Sequence, residues 1–350
     1  MSESIPHSRP SLGEAEAEAA ARVVRSGMLA QGREVELFER EMADYVGRSY
    51  AVAVSSGTAA LHLGLLALGV GKGASVAMPS YVCTALLHAT WAVGARPLVC
   101  DIDGATGHLD AAALARLNPP DALIVPHMFG RPADLDAVES LGIPFIEDCA
   151  MALGGHCGDR PMGSRGVLSI CSFYATKVLA AGEGGMILTD DADLAERVRH
   201  LRAYDGLPAR SVRFNAKMTD VHAAIGRVQL SRLDAFVQRR RRLADLYRAG
   251  FADLSDIVSP LVCEGHIYYR YVVKTPRKAE AFMRRLEDAG IAARRPVFAP
   301  LHRELGLADD DFPHAVEAYE SDLSLPLYPS LSDAEAQRVI AAVRALEARR

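Results

Sequence analysis

The sequence predicts an α/β fold: a mostly parallel, doubly wound sheet, followed by a smaller α+β domain. Two observations lead there. Short apolar runs alternate with helix-length amphipathic stretches through the first part of the chain, which is the pattern of repeated strand–helix units. The polar residues that stand out chemically lie mostly just past the ends of those runs, and in such sheets that edge binds ligands.

An acidic, alanine-rich helix covers 12–27 and a short apolar strand covers 51–55. After Gly57, Leu61, Leu65 and Leu68 recur at i, i+4 and i+7, one face of a helix. Gly64 takes the i+3 place on that face; a glycine there costs about 1 kcal/mol against alanine and so marks a close packing contact. Gly69 and Gly71 end the helix. Strands are expected at 74–78, 97–100, 123–126, 144–147, 168–174 and 185–189. From Thr219 a long helix runs to about Arg248, with Ile225, Val228, Leu233, Phe236 and Val237 as its apolar stripe. The tail is poor in strands: segments 267–274 and 292–298, a helix between them, and helices at Ala315 and Ser332. The division is 1–248 for the large domain and 249–350 for the small one, packed together, because no low-complexity linker separates them.

Composition excludes several classes. Of the 350 residues, 50% are hydrophobic and 24% charged, as in an ordinary soluble protein. A net charge of −5 gives no footprint for nucleic acid. The basic run Arg239 to Arg242 lies in a helical stretch and reads as a solvated helix face. No apolar run reaches the roughly 18 residues of a membrane span, and Met1 to Pro10 lacks the apolar core of a signal peptide. The six cysteines show neither a CxxC pair nor metal-ligand spacing, so they read as reduced thiols of a cytoplasmic protein without a metal site.

Four segments carry chemistry. Ser55-Ser56-Gly57-Thr58 joins a strand to a helix start, where free backbone N–H groups and the helix dipole suit a phosphate; a simple helix cap is the other reading. Glu147-Asp148 ends an apolar strand, placing a carboxylate where it can meet a ring nitrogen or cap the strand edge. Ser172 to Lys177 follows another strand. A lysine there is unusual, because buried lysines are rare and a desolvated amine is a usable nucleophile, although its long stem also lets it reach solvent. Gly182-Glu183-Gly184-Gly185 lets the chain turn tightly beside it. Phe214 to Asp220 precedes the long helix, with Asn215 as a cap or turn residue by default. A phosphate cradle, a strand-end carboxylate and a strand-end lysine, in that order, are what pyridoxal phosphate (PLP) requires.

With these motifs the sequence resembles the DegT/DnrJ/EryC1/StrS family of PLP-dependent sugar aminotransferases. The resemblance spans nearly the whole chain: Ile5 to Pro10, Ser26-Gly27, Ser56 to Leu61, Glu147 to Ala150, Ser172 to Lys177, Gly182 to Gly185, Thr219 to Gln229 and Leu325 to Pro329. It implies PLP fold type I, similar to aspartate aminotransferase. It implies Lys177 as the internal aldimine lysine, passing through pyridoxamine phosphate, and Asp148 on the pyridine nitrogen. Ser56, Gly57, Thr58 and Ser172 would surround the phosphate, and Asn215 would reach the phosphate of the neighbouring subunit in a homodimer. The implied reaction moves an amino group from L-glutamate or L-glutamine to a nucleotide-linked keto-sugar. Because Lys177 stands where the related dehydratases carry His, the resemblance is to the transaminating branch.

Three positions depart from the family pattern. Cys83 stands where an aromatic residue commonly stacks on the cofactor ring, Met151 replaces a Gln or His, and Asn215-Ala216-Lys217 replaces Asn-aromatic-Arg. Tyr81 is a candidate to supply the missing ring, though its offset from Cys83 is against a simple swap. Candidates for the acceptor pocket are Tyr174, Lys217, Phe298 and His302, with Arg294 and Arg295 as possible partners for a diphosphate or carboxylate. Amination of a keto-cyclitol or keto-sugar acid, and a PLP-binding regulator without turnover, remain as alternatives.

Overall fold

Glycines punctuate the opening helices. α1 (Glu14–Ser26) ends at Gly27 (φ +74°), and α2 (Arg33–Val46) at Gly47 (φ +75°). Both are left-handed C-caps that a side chain would strain. The structure, a computed structural model, describes residues 4–205, 212–276 and 279–347. α2 has no expectation from the sequence, and its N-terminus is capped from far along the chain. The Asp220 carboxylate accepts the N–H groups of Gly32 (2.8 Å), Glu34 (3.2 Å) and Val35 (3.1 Å). Removing such a cap costs about 1–2 kcal/mol. Asp220→Ala is therefore expected to lower stability by that amount in chemical denaturation, with Asp220→Asn losing less.

The central sheet has seven strands, all among those expected: β1 (Tyr50–Val54), β2 (Ser75–Pro79), β3 (Arg96–Cys100), β4 (Ala122–Pro126), β5 (Phe145–Asp148), β8 (Leu168–Ser172) and β9 (Gly185–Thr189). Between β5 and β8 lies a small hairpin of β6 (His156–Cys157) and β7 (Arg160–Pro161). The order across the sheet is β1-β9-β8-β5-β4-β2-β3. β9 runs against both neighbours, and the remaining pairs are parallel. Helices cover the sheet, as burial of parallel strands on both faces requires. They include α3 (Gly57–Ala67), α4 (Ala85–Ala92), α5 (Ala111–Leu114), α6 (Leu135–Glu139) and α7 (Ala192–Arg202). The close contact expected at Gly64 is present: a Cβ there would lie 3.2 Å from Leu168 Cδ1, so α3 rests directly on β8.

The expected long helix is two helices, α8 (Asp220–Ser231) and α9 (Leu233–Gly250). They part at Arg232 (φ −105°, ψ −3°), whose guanidinium reaches back to the buried Glu16 of α1 at 2.6 Å. No glycine or proline marks this break, so periodicity alone cannot show it.

A second core gathers Ile5, the later turns of α9 (Leu243, Ala244, Tyr247) and the elements that follow. These are β10 (Tyr271–Lys274), α10 (Ala279–Asp288), β11 (Asp322–Leu325) and α13 (Asp333–Glu347), whereas α11 (Leu301–Glu304) and α12 (Pro313–Ser321) bury Leu301, Ala315 and Ala318 in the core of the central sheet. β10 pairs antiparallel with β11, and Ile5 bridges to Ile291. The basic run on α9 is not the solvated face expected of it. Arg240 is buried, and its Nη1 donates to the carbonyls of Tyr268, Tyr269 and Leu327. Helical spacing puts residue 240 on the inward face with Phe236, Val237 and Leu243, where those carbonyls need donors. Arg241 serves the His266 carbonyl in the same way, and Arg239 that of Leu331. The run thus stitches α9 to segments 266–269 and 327–331. All six cysteines are free. Among the described residues, no helix is long and apolar enough to cross a membrane.

Candidate active site

β5 and β8 are parallel neighbours, so their carboxyl ends place Asp148 and Ser172 on one edge of the sheet. α3 starts at the same edge. Ser56 is its N-cap, with Oγ accepting the Ala59 N–H at 3.0 Å, so its hydroxyl serves the cap that was one of the two readings. Gly57 packs hard on Ser172: a Cβ there would fall 2.8 Å from Ser172 Cβ and 3.1 Å from its Oγ. Gly185 packs as hard on the other side, where a Cβ would lie 2.3 Å from the Ser56 carbonyl oxygen. The two glycines draw the helix start, with its free N–H groups, against the Ser172 hydroxyl, and Thr58 remains exposed beside them.

Beyond β8 the chain forms a tight loop. Lys177 N–H donates to the Tyr174 carbonyl (2.8 Å), Tyr174 bridges to Gly182, and Phe173 N–H donates to Gly184 O (2.9 Å). Gly184 has φ +144°, and a Cβ there would meet Met218 Cε at 2.9 Å, so the turn beside the lysine requires glycine. Lys177 is half-buried, with Nζ over the Tyr269 ring at 5.3 Å from its centroid. Asp148 is buried and accepts the Ala150 N–H at 2.9 Å. Burial pushes its carboxyl up, and the Ala150 bond and the Lys177 charge only partly offset this. Tyr269 shows the opposite balance. Burial would raise its phenol, but the positive charges of Lys177 and Arg270 and a bond from Thr176 outweigh it, so its pKa is lowered.

Directly behind Asp148, Glu147 is fully buried. It accepts His127 Nε2 (2.8 Å) and the N–H groups of Gly163, Arg165 and Gly166. The Ala133 N–H donates to His127 Nδ1 at 2.9 Å, which fixes the ring proton on Nε2, facing the carboxylate. Burial pushes the Glu147 carboxyl up, but these donors bring it down to about 2. Glu147, His127 and Cys149 offer ligand atoms within 4.8 Å of one another, yet the hydrogen bonds already occupy the carboxylate and the ring.

The other predicted residues scatter. Cys83 and Asn215 are exposed, Met151 is half-buried, and Tyr174 and Phe298 are 48% and 88% exposed. Lys217 pairs with Asp205. His302 is not available as an acceptor contact. It is fully buried, with Nδ1 on Ser80 Oγ (2.6 Å), Nε2 on Asp309 (2.9 Å) and its ring stacked on Phe312 at 4.4 Å. It fastens the end of β2 to α11, and a Pro-Leu-His turn in the sequence does not distinguish that role from a surface one. Tyr81 is likewise buried, with its hydroxyl donating to the Ala318 carbonyl, so it does not stand in for an aromatic at Cys83. The sequence reading missed Tyr269, which lies in the short-patterned segment 267–274, and the His127–Glu147 pair. His127 was findable, since it directly follows a strand end.

The profile of the DegT/DnrJ/EryC1/StrS aminotransferase family matches residues 10–344. The chain belongs to this family. It is 36% identical to the GDP-perosamine synthase of Caulobacter vibrioides, over 89% of this chain and 90% of that one. It is also 36% identical to the dTDP-3-amino-3,4,6-trideoxy-alpha-D-glucose transaminase of Micromonospora megalomicea, over 93% of each. Among solved structures, S. venezuelae DesV, crystallised with a ketimine intermediate, matches all of the chain along its own full length at 32% identity, with a TM-score of 0.93. The sheet and its covering helices are therefore those of an aminotransferase of fold type I, as the sequence predicts.

Proposed function

We propose that this aminotransferase moves an amino group from L-glutamate or L-glutamine to a keto-sugar carried on a nucleotide, using PLP bound covalently by Lys177. The observation that carries this reading is the convergence of Lys177, Asp148 and the Gly57–Ser172 contact on one sheet edge. The site fits the cofactor. The tight approach of α3 to Ser172 makes a notch of N–H and hydroxyl donors suited to a phosphate, with Ser56 and Thr58 at its rim. Asn215 of the partner subunit completes it across a homodimer interface; its exposure on this chain agrees with a role toward a neighbour. When bound, PLP supplies a carbonyl that takes up the amino group and a protonated ring that withdraws electron density from the donor carbon.

The protein's own groups do the rest. Asp148, buried and accepting the Ala150 N–H on Oδ1, would hold the proton on the ring nitrogen. Lys177 Nζ, freed when the donor amine takes its place, would accept the proton from the donor Cα and would give a proton to the acceptor carbon in the second half-reaction. The Tyr269 ring orients the ammonium from below by a cation–π contact. Cys83 and Met151 would border the ring, and Tyr174, Phe298 and Lys217 would be the side chains offered to the acceptor.

The nucleotide-sugar substrate is supported by the perosamine and trideoxyglucose relatives. The test is a spectral assay: glutamate should shift the cofactor absorbance to the pyridoxamine form, and a nucleotide-linked keto-sugar should shift it back. Recovery only with keto-cyclitols or keto-sugar acids would overturn the nucleotide assignment, and no shift with any donor would overturn turnover itself. Asp148→Asn is expected to slow the glutamate half-reaction by about 10²-fold or more in stopped-flow absorbance, because the ring nitrogen loses its anionic partner.

A further inference from the structure

A cavity of about 210 Å³ lies between the two domains; Lys177, Asp148 and Ser172 do not line it, although its Arg270 also lies over the Tyr269 ring. The large domain contributes the loop after β3 (104–107) and the turn after β4, with Met128, Phe129 and Arg131. The small domain contributes segment 258–261, His266, Arg270, β10 and the start of β11. The walls are largely apolar, yet three basic side chains, Arg131, Arg270 and Lys274, line it against one acid, Asp322.

Several of these polar groups are only partly satisfied by the protein, whereas Arg270 donates to His7 and lies over the Tyr269 ring. Arg131 is 7% exposed and, among the described residues, donates only to the Leu261 carbonyl, with no carboxylate in salt-bridge reach. Lys274 Nζ donates to the Gly104 carbonyl at 2.7 Å. Asp322 is 6% exposed and its Oδ1 lacks a hydrogen-bond partner; burial pushes its carboxyl up to about 7. His266 is 3% exposed, and no hydrogen bond of normal geometry reaches its ring nitrogens. Buried polar groups are nearly always bonded, and the exceptions gathered on one cavity call for a partner that fills it. The excess of basic groups requires that partner to be an anion, and the walls require an apolar body.

We propose that this cavity binds a small organic acid, with its carboxylate on Arg131 and its apolar body against Met128, Phe129, Val272 and Ala318. Arg131 offers the planar fork that pairs with a carboxylate. Because both domains form the walls, the bound acid bridges them and ties the small domain to the large one.

The test is calorimetric titration of the holoenzyme with hexanoate. The expected result is saturable binding at one site per chain, with a matching rise in melting temperature. Arg131→Gln should weaken it at least tenfold and Arg131→Lys less. Ala318→Phe, which fills the cavity, should abolish it while leaving the cofactor spectrum and the glutamate half-reaction unchanged. Four results would each overturn the proposal: no binding at millimolar hexanoate; equal binding by all the variants; displacement by glutamate, which would place the acid in the catalytic site; or inorganic phosphate binding as well as hexanoate, which would remove the role of the apolar walls. None of these readouts depends on the sugar acceptor.

Discussion

Lys177→Ala is expected to lose at least about 10³-fold in transamination, because in the proposed function one side chain both binds the cofactor and moves the proton. The backbone around it should survive, since the loop is held by main-chain bonds at Tyr174, Phe173 and Gly184 rather than by the lysine side chain. The purified variant should lose no more than about 1 kcal/mol of stability, since the side chain is half-buried and its contact in the fold is the cation–π approach to Tyr269. Three measurements separate the roles. Borohydride reduction of the wild-type holoenzyme should fix the cofactor to the peptide containing Lys177, and should fix nothing in the variant. Lys177→Arg should not restore turnover, because a guanidinium does not give up its proton. A small primary amine added to Lys177→Ala should recover part of the half-reaction rate if proton transfer is the missing step. Near-normal turnover by Lys177→Ala would end the assignment.

Glu147→Gln should produce the largest loss of stability, about 3–5 kcal/mol, although Glu147 is not placed on substrate or cofactor. The carboxylate accepts bonds from His127 and three backbone N–H groups in the interior. A carboxamide has one acceptor oxygen and presents an NH₂ group to donors that cannot accept from it. The same bonds predict an acid response. The folded value of about 2 lies below the ordinary 4.5, so the folded state holds the proton less tightly than the unfolded chain. The contribution is therefore present in full above pH 4.5 and is lost as pH falls toward about 2. Wild-type stability should drop through that window, and the drop contributed by this residue should vanish in Glu147→Gln. An unchanged acid limb in the variant would show that other carboxylates govern it.

The sheet was legible because its strands are short apolar runs that end at prolines, glycines or acids, and the cofactor edge because those ends carry Asp148, Ser172 and Lys177. What escaped has no local signature. α2 is started by Asp220, a residue nearly two hundred positions away, and the break at Arg232 is made by a tertiary bond to Glu16. Arg240 sits in a run of four arginines that looks exposed, and only the carbonyls around it explain its burial. His302 and Tyr81 are polar-tipped rings in turns that look open in sequence, but both are buried, His302 on Ser80 and Asp309 and Tyr81 on the Ala318 carbonyl. Tyr269 reaches Lys177 only once the small domain is in place.

Ile5 has a consequence for the timing of synthesis. It is fully buried in the small-domain core and hydrogen-bonded at both its N–H and its carbonyl to residues 290 and 292. At about 5–20 residues per second, a ribosome needs roughly 15–60 s to reach that point. Through that interval Ile5 lacks its partners at 290 and 292, while the strands of the central sheet are already available to pair. The core around Ile5 is therefore completed only when this early segment meets residues made much later. A bulky fusion placed just before Ile5 should leave early sheet assembly alone and delay only this last closure.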